Sequence, residues 1–207
     1  MMTERENGLV SRVNSDGLIE LRPEKVIGVM GIATTWNRQN YLVCRELMTK
    51  EWCDKQRGDL GTSMGGIEAG ESDHEALTRE LIQEFNLNPE AYVFSPQAVG
   101  YFRTQKGWVS VHVVMINTDK LSGRFLQPID GETDSVGWIH FEERDRFGIR
   151  GGVQSVWEKF EQGKFFMDDT CQGDHALDNG RSPWGVIFDL NGYPTMFTWK
   201  GITNTLK

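Results

Sequence analysis

Along the chain, apolar residues gather in short runs separated by polar turns, and two stretches repeat at helical spacing. Residues 9–13 and 18–21 flank Asn14-Ser15-Asp16-Gly17, the pattern of a hairpin. Residues 26–34 are almost continuously apolar and predict a buried strand. Residues 41–47 predict its partner, across the polar turn Trp36-Asn37-Arg38-Gln39-Asn40. Residues 50–60 are charged and predict a surface loop. Residues 72–85 carry Leu77, Leu81 and Phe85 four residues apart, an apolar stripe that predicts a helix. Residues 92–102 and 108–117 predict two further strands joined near Thr104-Gln105-Lys106-Gly107. In the second of these, Val111, Val113 and Met115 alternate with His112 and Val114. Residues 132–141 predict another strand, and Val153, Val156, Trp157 and Phe160 predict a helix over residues 153–162. Residues 167–183 are polar, with Asp168, Asp169, Asp174 and Asp178, and read as a long loop of the kind often used as a lid. Residues 184–190 and 193–199 surround Asn191-Gly192, a second hairpin signal.

These elements predict one domain over residues 1–207. Its core spans about residues 26–162, preceded by a hairpin extension (1–25) and followed by a loop and hairpin extension (163–207). A chain of 207 residues buries roughly 70% of its unfolded surface. Net charge is -8, which argues against general nucleic-acid binding and against anionic membranes. An anionic ligand then requires metal ions and a few placed cations. No apolar run approaches the ~18 residues needed to span a membrane. The charged N-terminus, MMTERENGLV, lacks the apolar stretch of a signal peptide. Cys44, Cys53 and Cys171 are odd in number and far apart, which fits a reduced, cytoplasmic protein. Cys171 and His175 have no C-x2-C beside them, so a zinc site is not expected there. The sequence leaves a homodimer open.

The chemistry concentrates in the first helix. Ser72 is a good N-cap, and Glu75 three residues on completes a capping box. Asn86 readily adopts the left-handed conformation that ends a helix. Glu80 and Glu84 are four residues apart, one above the other beside the apolar stripe. Such like charges destabilise a helix by a few tenths of a kcal/mol, and a hard divalent cation relieves the repulsion. On their own, two carboxylates at this spacing also fit a solvated acidic face. Upstream, Met64-Gly65-Gly66-Ile67-Glu68-Ala69-Gly70-Glu71 is a glycine-rich loop whose backbone can approach a metal or phosphate.

Taken together, residues 65–87, GGIEAGESDHEALTRELIQEFNL, resemble the Nudix box, G-x5-E-x7-R-E-U-x-E-E-x-G-U, where U is bulky and aliphatic. Gly65, Glu71, Arg79-Glu80-Leu81, Glu84 and Leu87 match it in register. Gln83 replaces the first glutamate of the E-E pair, and Asn86 replaces the usual glycine. The order of strands, glycine loop, helix, strands and late helix is similar to the Nudix fold as well. That resemblance implies an α/β (α+β) protein with a mixed β-sheet between helices.

The resemblance also implies a pyrophosphohydrolase that uses Mg2+ or Mn2+ to cleave the diphosphate linkage of a nucleoside diphosphate derivative. Glu80 and Glu84 would be metal ligands, with a carbonyl of Met64 or Gly65 completing the shell and Gln83 bordering it. Glu71 and Arg79 would pair to hold the loop against the helix. Glu132 or Asp134, in an acidic stretch before Trp138, would supply a general base, unless a box glutamate does so. Arg45 is a candidate phosphate contact, as are the backbone groups of Gly65 and Gly66; for Arg45 a surface pair with Glu46 or Glu51 is an equal alternative. Tyr101, Phe102, Trp108, Trp36 and Trp184 are candidates to stack on a base. The markers of family subgroups are missing: Arg103, Thr104 and Gln105 stand where a proline or tyrosine would point to a substrate, and Thr62-Ser63-Met64 lacks the proline usual before the box. The alternative implied by Gln83 is a non-catalytic module that binds a nucleotide or a protein partner.

Overall fold

The computed structural model describes residues 9–13, 19–51, 55–121, 126, 128, 129, 131–163, 166–168, 185–188, 194–197 and 203–205. A hairpin of β1 (Leu9–Val13) and β2 (Ile19–Pro23) forms a separate two-stranded sheet. The core begins with β3 (Val26–Thr35) and β4 (Asn40–Glu46), followed by the short strands β5 (Leu60–Gly61) and β6 (Met64–Gly66). Helix α1 (Asp73–Phe85) comes next, then β7 (Tyr92–Phe94), β8 (Gly100–Thr104), β9 (Gly107–Ile116) and β10 (Thr133–His140). Helix α2 (Gly151–Glu161) and the strands β11 (Phe166–Asp168), β12 (Gly185–Phe188), β13 (Pro194–Phe197) and β14 (Thr203–Thr205) close the order.

The main sheet is mixed. Its strands run β11-β8-β9-β3-β4-β10-β12-β13-β14, with β5 on β4, β6 on β3 and β7 on β9. At its centre β3 lies parallel to β9, and β4 lies antiparallel to β10. Strands β3 and β4 pair at Thr34 and Tyr41, beside their turn, and then part. The gap is filled by β6, which pairs with β3 at Gly28, Val29 and Met30, and by β5, which pairs with β4 at Cys44 and Arg45. This split lets the glycine loop reach the middle of the sheet.

A helix covers each face. On one side Leu77, Leu81 and Phe85 of α1 pack on Val29, Ala33, Leu42 and Cys44. On the other, Val153, Val156 and Trp157 of α2 pack on Met30, Ile32, Tyr41 and Val43, with Trp157 stacked on Tyr41 at 4.5 Å between ring centroids. Alternate residues of β3 and β4 therefore enter different cores, which is why both strands read as unbroken apolar runs. Each of the fully buried side chains of α1 contributes about 1.5–3 kcal/mol by burial.

Helix α1 forms with both caps in place. Ser72 and Glu75 make the reciprocal capping box, and Asn86 is left-handed at φ 52° and ψ 37°, its N–H donating to the carbonyls of Ile82 and Leu81. The N-terminal turn is tied to β9 by the Ser110 hydroxyl, which donates to Asp73 Oδ2 at 2.7 Å.

Several expectations change. Residues 92–102 are two strands, because Ser95-Pro96-Gln97 interrupts them and Pro96 lacks an N–H for a ladder; both pair with β9. Residues 50–60 are not simply a surface loop: Lys55 and Asp59 are buried, and the backbones of Lys50 and Lys55 bridge. The expected long loop begins later than residue 167, since Met167 and Asp168 belong to β11, parallel to β8. Residues 169–184, with Cys171, His175 and Trp184, lie outside the described residues. So do the turns of both hairpins, although β12 and β13 pair around Asn191-Gly192 from Gly185–Phe197 to Phe188–Pro194.

Candidate active site

Helix α1 and strand β6 bring the box residues into one pocket of about 370 Å3. Met64, Gly65, Gly66, Glu80, Gln83 and Glu84 line one wall; Lys50, Lys55, Glu132 and Arg150 line the other, with Ile27, Gly28, Thr104 and Val109 completing it. The carboxylates sit on the strip of α1 that faces the loop. The backbone N–H of Met64 donates to Glu84 Oε2 at 3.1 Å. A Cβ on Gly65 would run into the Glu80 carboxylate, so glycine here lets that carboxylate lie against the loop backbone. Gly28 serves the same packing from β3: a Cβ there would lie 2.8 Å from the Gly65 carbonyl oxygen.

Arg79 braces this wall. Its Nε and Nη2 donate to the two oxygens of Glu71 at 2.9 and 3.0 Å, and Nη2 donates to the Gly66 carbonyl at 2.7 Å. Its Nη1 donates to Glu80 and reaches Gln83 Oε1 at 3.4 Å. Glu71 is held at a pKa of about 2, chiefly by its hydrogen bonds from Arg79. Arg79 is in turn held well above its ordinary value, with Glu71 as the main cause.

Glu84 is the most stressed group of the site. Burial pushes its carboxyl well above the usual range, and the negative charges of Glu46 and Glu80 push in the same direction. Glu46, on β4, is itself buried and raised by burial, but Arg150 and Lys55 oppose the shift. Lys55 Nζ lies 2.6 Å from Glu46 Oε2, and Arg150 Nη1 lies 3.5 Å from Glu46 Oε1. Burial works against the charge of Lys55; the pull of Glu46, and then of Glu84 and Glu132, outweighs it, and its pKa is raised.

Glu132 lies on the same pocket but in a different environment. It accepts from Lys50 Nζ at 2.8 and 2.6 Å and from Lys55 Nζ at 3.4 Å, and the Lys50 contacts are the main cause of its lowered pKa. Asp134, the other base candidate, is taken up by Arg45, whose Nε donates at 2.6 Å and whose Nη2 makes a second bond. Arg45 is buried, does not line the pocket, and pairs with Asp134. Tyr101, Phe102 and Trp108 are buried and Trp36 is exposed; among the described residues no aromatic side chain lines the pocket.

Sequence reasoning brought forward every residue of the box wall but missed Lys50, Lys55 and Arg150. Lys50 and Lys55 fell in a stretch whose charges read as solvated. Arg150 precedes Gly151-Gly152 with nothing in the pattern to mark it. Only tertiary contacts reveal them: Lys55 and Arg150 are buried against Glu46, and Lys50 pairs with Glu132.

Among the described residues, no three His, Cys, Asp or Glu side chains converge as a complete metal cage. The donor set still suits a hard cation that keeps most of its waters: two buried carboxylates beside glycine backbone. Burial, and then the charges of Glu46 and Glu80, disfavour the anion of Glu84, and a cation bound beside it would oppose both.

Comparison with known proteins agrees with this fold. The profile described as the NUDIX domain matches residues 27–152, the greater part of the chain. Among solved structures, the chain is similar to a Nudix hydrolase from M. smegmatis, RenU, at 11% identity and a TM-score of 0.50, covering 74% of this chain and 93% of that one. It is also similar to a NUDIX hydrolase from Nitrosomonas europaea, at 11% identity and a TM-score of 0.50, covering 81% and 96%. These likenesses concern the fold. The chain has no match among curated protein sequences. With the domain match spanning β3 to the start of α2, the chain belongs to the NUDIX domain family.

Proposed function

We propose that the protein is a divalent-metal-dependent hydrolase of the diphosphate linkage in a nucleoside diphosphate derivative, by attack of water on phosphorus. The observation that carries this reading is Glu84: a buried carboxylate with a raised pKa, facing a pocket beside Glu80. A structural protein gains nothing from burying two helix carboxylates one turn apart. Glu80 and Glu84, with backbone carbonyls of the Met64-Gly65 segment, would hold Mg2+ or Mn2+. When bound, the ion would supply charge neutralisation at the phosphoryl oxygens and acidify the attacking water. Arg79 orients Glu80 and ties the loop to the helix through Glu71 and the Gly66 carbonyl. Glu132, stabilised as an anion chiefly by Lys50, accepts a proton less readily than the buried Glu84, so Glu84 is the better proton acceptor of the two. Incubation of the full chain with magnesium and a panel of nucleoside diphosphate derivatives, with chromatographic detection of the nucleoside monophosphate, tests the reading; no cleavage of any member overturns it.

A second reading has one observation in its favour. Gln83 lines the pocket where the box has a charged residue, which lowers the charge available to a metal. A non-catalytic module that binds a nucleotide or a protein would tolerate that loss. Nucleotide binding without cleavage in the same panel selects it.

A further inference from the structure

We propose that Lys50 and Lys55, together with Arg150 in the same pocket, form a subsite for a phosphate group of the ligand, and that the Glu132 carboxylate holds this subsite in the free protein. The ligand class rests on the hydrolase reading above; the subsite rests on geometry.

Lys50 and Lys55 form an antiparallel bridge. The Lys50 N–H donates to the Lys55 carbonyl at 2.7 Å, and the Lys55 N–H donates back at 3.2 Å. Like charges placed directly opposite in this way destabilise an antiparallel pair unless an anion lies between them. Glu132 supplies that anion, accepting from both ammonium groups. Its hold is of the kind that can be exchanged. The backbone of Glu132 is fixed by the Leu47 N–H, which donates to its carbonyl at 2.9 Å, while its side chain is 39% exposed at the pocket rim. Lys55 does not depend on Glu132 for its position, since Glu46 grips it at 2.6 Å deeper in the protein. When Glu132 swings out, Lys55 therefore stays in place, which limits the ordering cost of binding, and Lys50 follows the incoming anion. A phosphate presents the same anionic oxygens with more charge, and the pocket volume of about 370 Å3 falls in the usual range for small ligands. The subsite lines the same pocket as Glu80 and Glu84, as a diphosphate held between metal and lysines requires.

The test uses the full chain and methylenediphosphonate, which is not hydrolysed, titrated calorimetrically in the presence of magnesium. Glu132→Gln is expected to tighten binding about ten-fold, because the competing charge is gone, and Lys50→Met to weaken it about ten-fold. Lys50 is the lysine to replace because Lys55 is buried and its loss endangers the fold. Any other pattern, including weaker binding by Glu132→Gln, unchanged binding by Lys50→Met, or no binding by wild type and Glu132→Gln alike, overturns the proposal. Hydrolysis of the nucleotide panel is scored separately. Absent hydrolysis with both affinity shifts intact counts against the enzyme reading alone, and hydrolysis with unmoved affinities counts against the subsite alone.

Discussion

The two walls of the pocket are built in opposite ways. The acidic wall comes from one contiguous stretch, residues 64–84, in which a strand, a loop and a helix fold back on each other. Its fixed contacts join near neighbours in sequence: Glu71 to Arg79, Arg79 to Glu80, Met64 to Glu84. The opposite wall draws Lys50 and Lys55 from the bridge after β4, Glu132 from the approach to β10 and Arg150 from the cap of α2, with Glu46 of β4 paired to Lys55 and Arg150 in the interior. In the acidic wall a buried negative charge stands in excess; in the other, opposite charges offset one another. A local frame can hold a charge that is unfavourable by itself. A wall assembled over long range depends on its ion pairs.

That contrast is open to breaking, and the largest effect belongs to the distributed wall. Glu46→Gln removes the carboxylate that Lys55 and Arg150 share in the interior. Losing one partner of a buried pair costs about 3–5 kcal/mol, and the lower end, about 3 kcal/mol, is expected here because Lys55 keeps Glu132. Urea unfolding of the variant measures it. A loss below about 1 kcal/mol would mean that the wall does not rest on this network.

Glu84→Gln is expected to do the reverse: activity falls and stability does not. Removing a charged ligand lowers turnover at saturating magnesium at least about a hundred-fold, or about 2.7 kcal/mol. The melting temperature without metal should hold or rise, because burial already disfavours the charge of Glu84. Rate and melting curve are read on the same preparation. An unchanged rate would remove Glu84 from the site.

The same contrast explains what could be read in the sequence. The box wall was legible because its spacing is local: a capping box, a glycine loop and glutamates one turn apart are written in consecutive residues. The caps at Ser72 and Asn86 and the two-sided burial of β3 follow from the same kind of signal. The parallel pairing of β3 with β9 was not legible, since about eighty residues separate partners such as Gly31 and His112. Nor was the cationic wall: Lys55 reads as a surface charge until a distant Glu132 and a buried Glu46 are placed beside it. Arg45 shows the converse. It was singled out for phosphate, and tertiary pairing gives it to Asp134.

Gln83→Glu sharpens the account of the acidic wall at a smaller scale. The added charge is expected to tighten magnesium binding about ten-fold, the lower end of what metal partners in an outer shell contribute. Arg79 Nη1, 3.4 Å from the Gln83 oxygen, absorbs part of the new charge, which argues against a larger gain. Calorimetric titration of magnesium into both proteins decides. Equal affinity would mean that position 83 lies beyond the reach of the metal, despite lining the pocket.

The smallest effect is a pH dependence of the brace between loop and helix. Glu71 has its carboxyl held at about 2 against an ordinary 4.5, mainly by hydrogen bonds from Arg79. A depressed native pKa means that the unfolded chain binds the proton more readily than the folded one. The stabilisation from this pair is therefore complete above about pH 4.5 and fades as pH falls toward 2, where Glu71 protonates in the folded protein too. The pair is partly exposed, with side chains 24% and 20% accessible, so its contribution is modest and screened by salt. Glu71→Gln should accordingly narrow the stability difference between pH 6 and pH 3 relative to wild type, and should loosen the glycine loop before it affects the core. Thermal melts across that range, with hydrogen exchange at residues 66–71, measure both. If wild type and variant lose stability in parallel as the pH falls, the Arg79–Glu71 pair does not hold the loop, and the local frame of the acidic wall must come from Gly65 and the Met64–Glu84 bond instead.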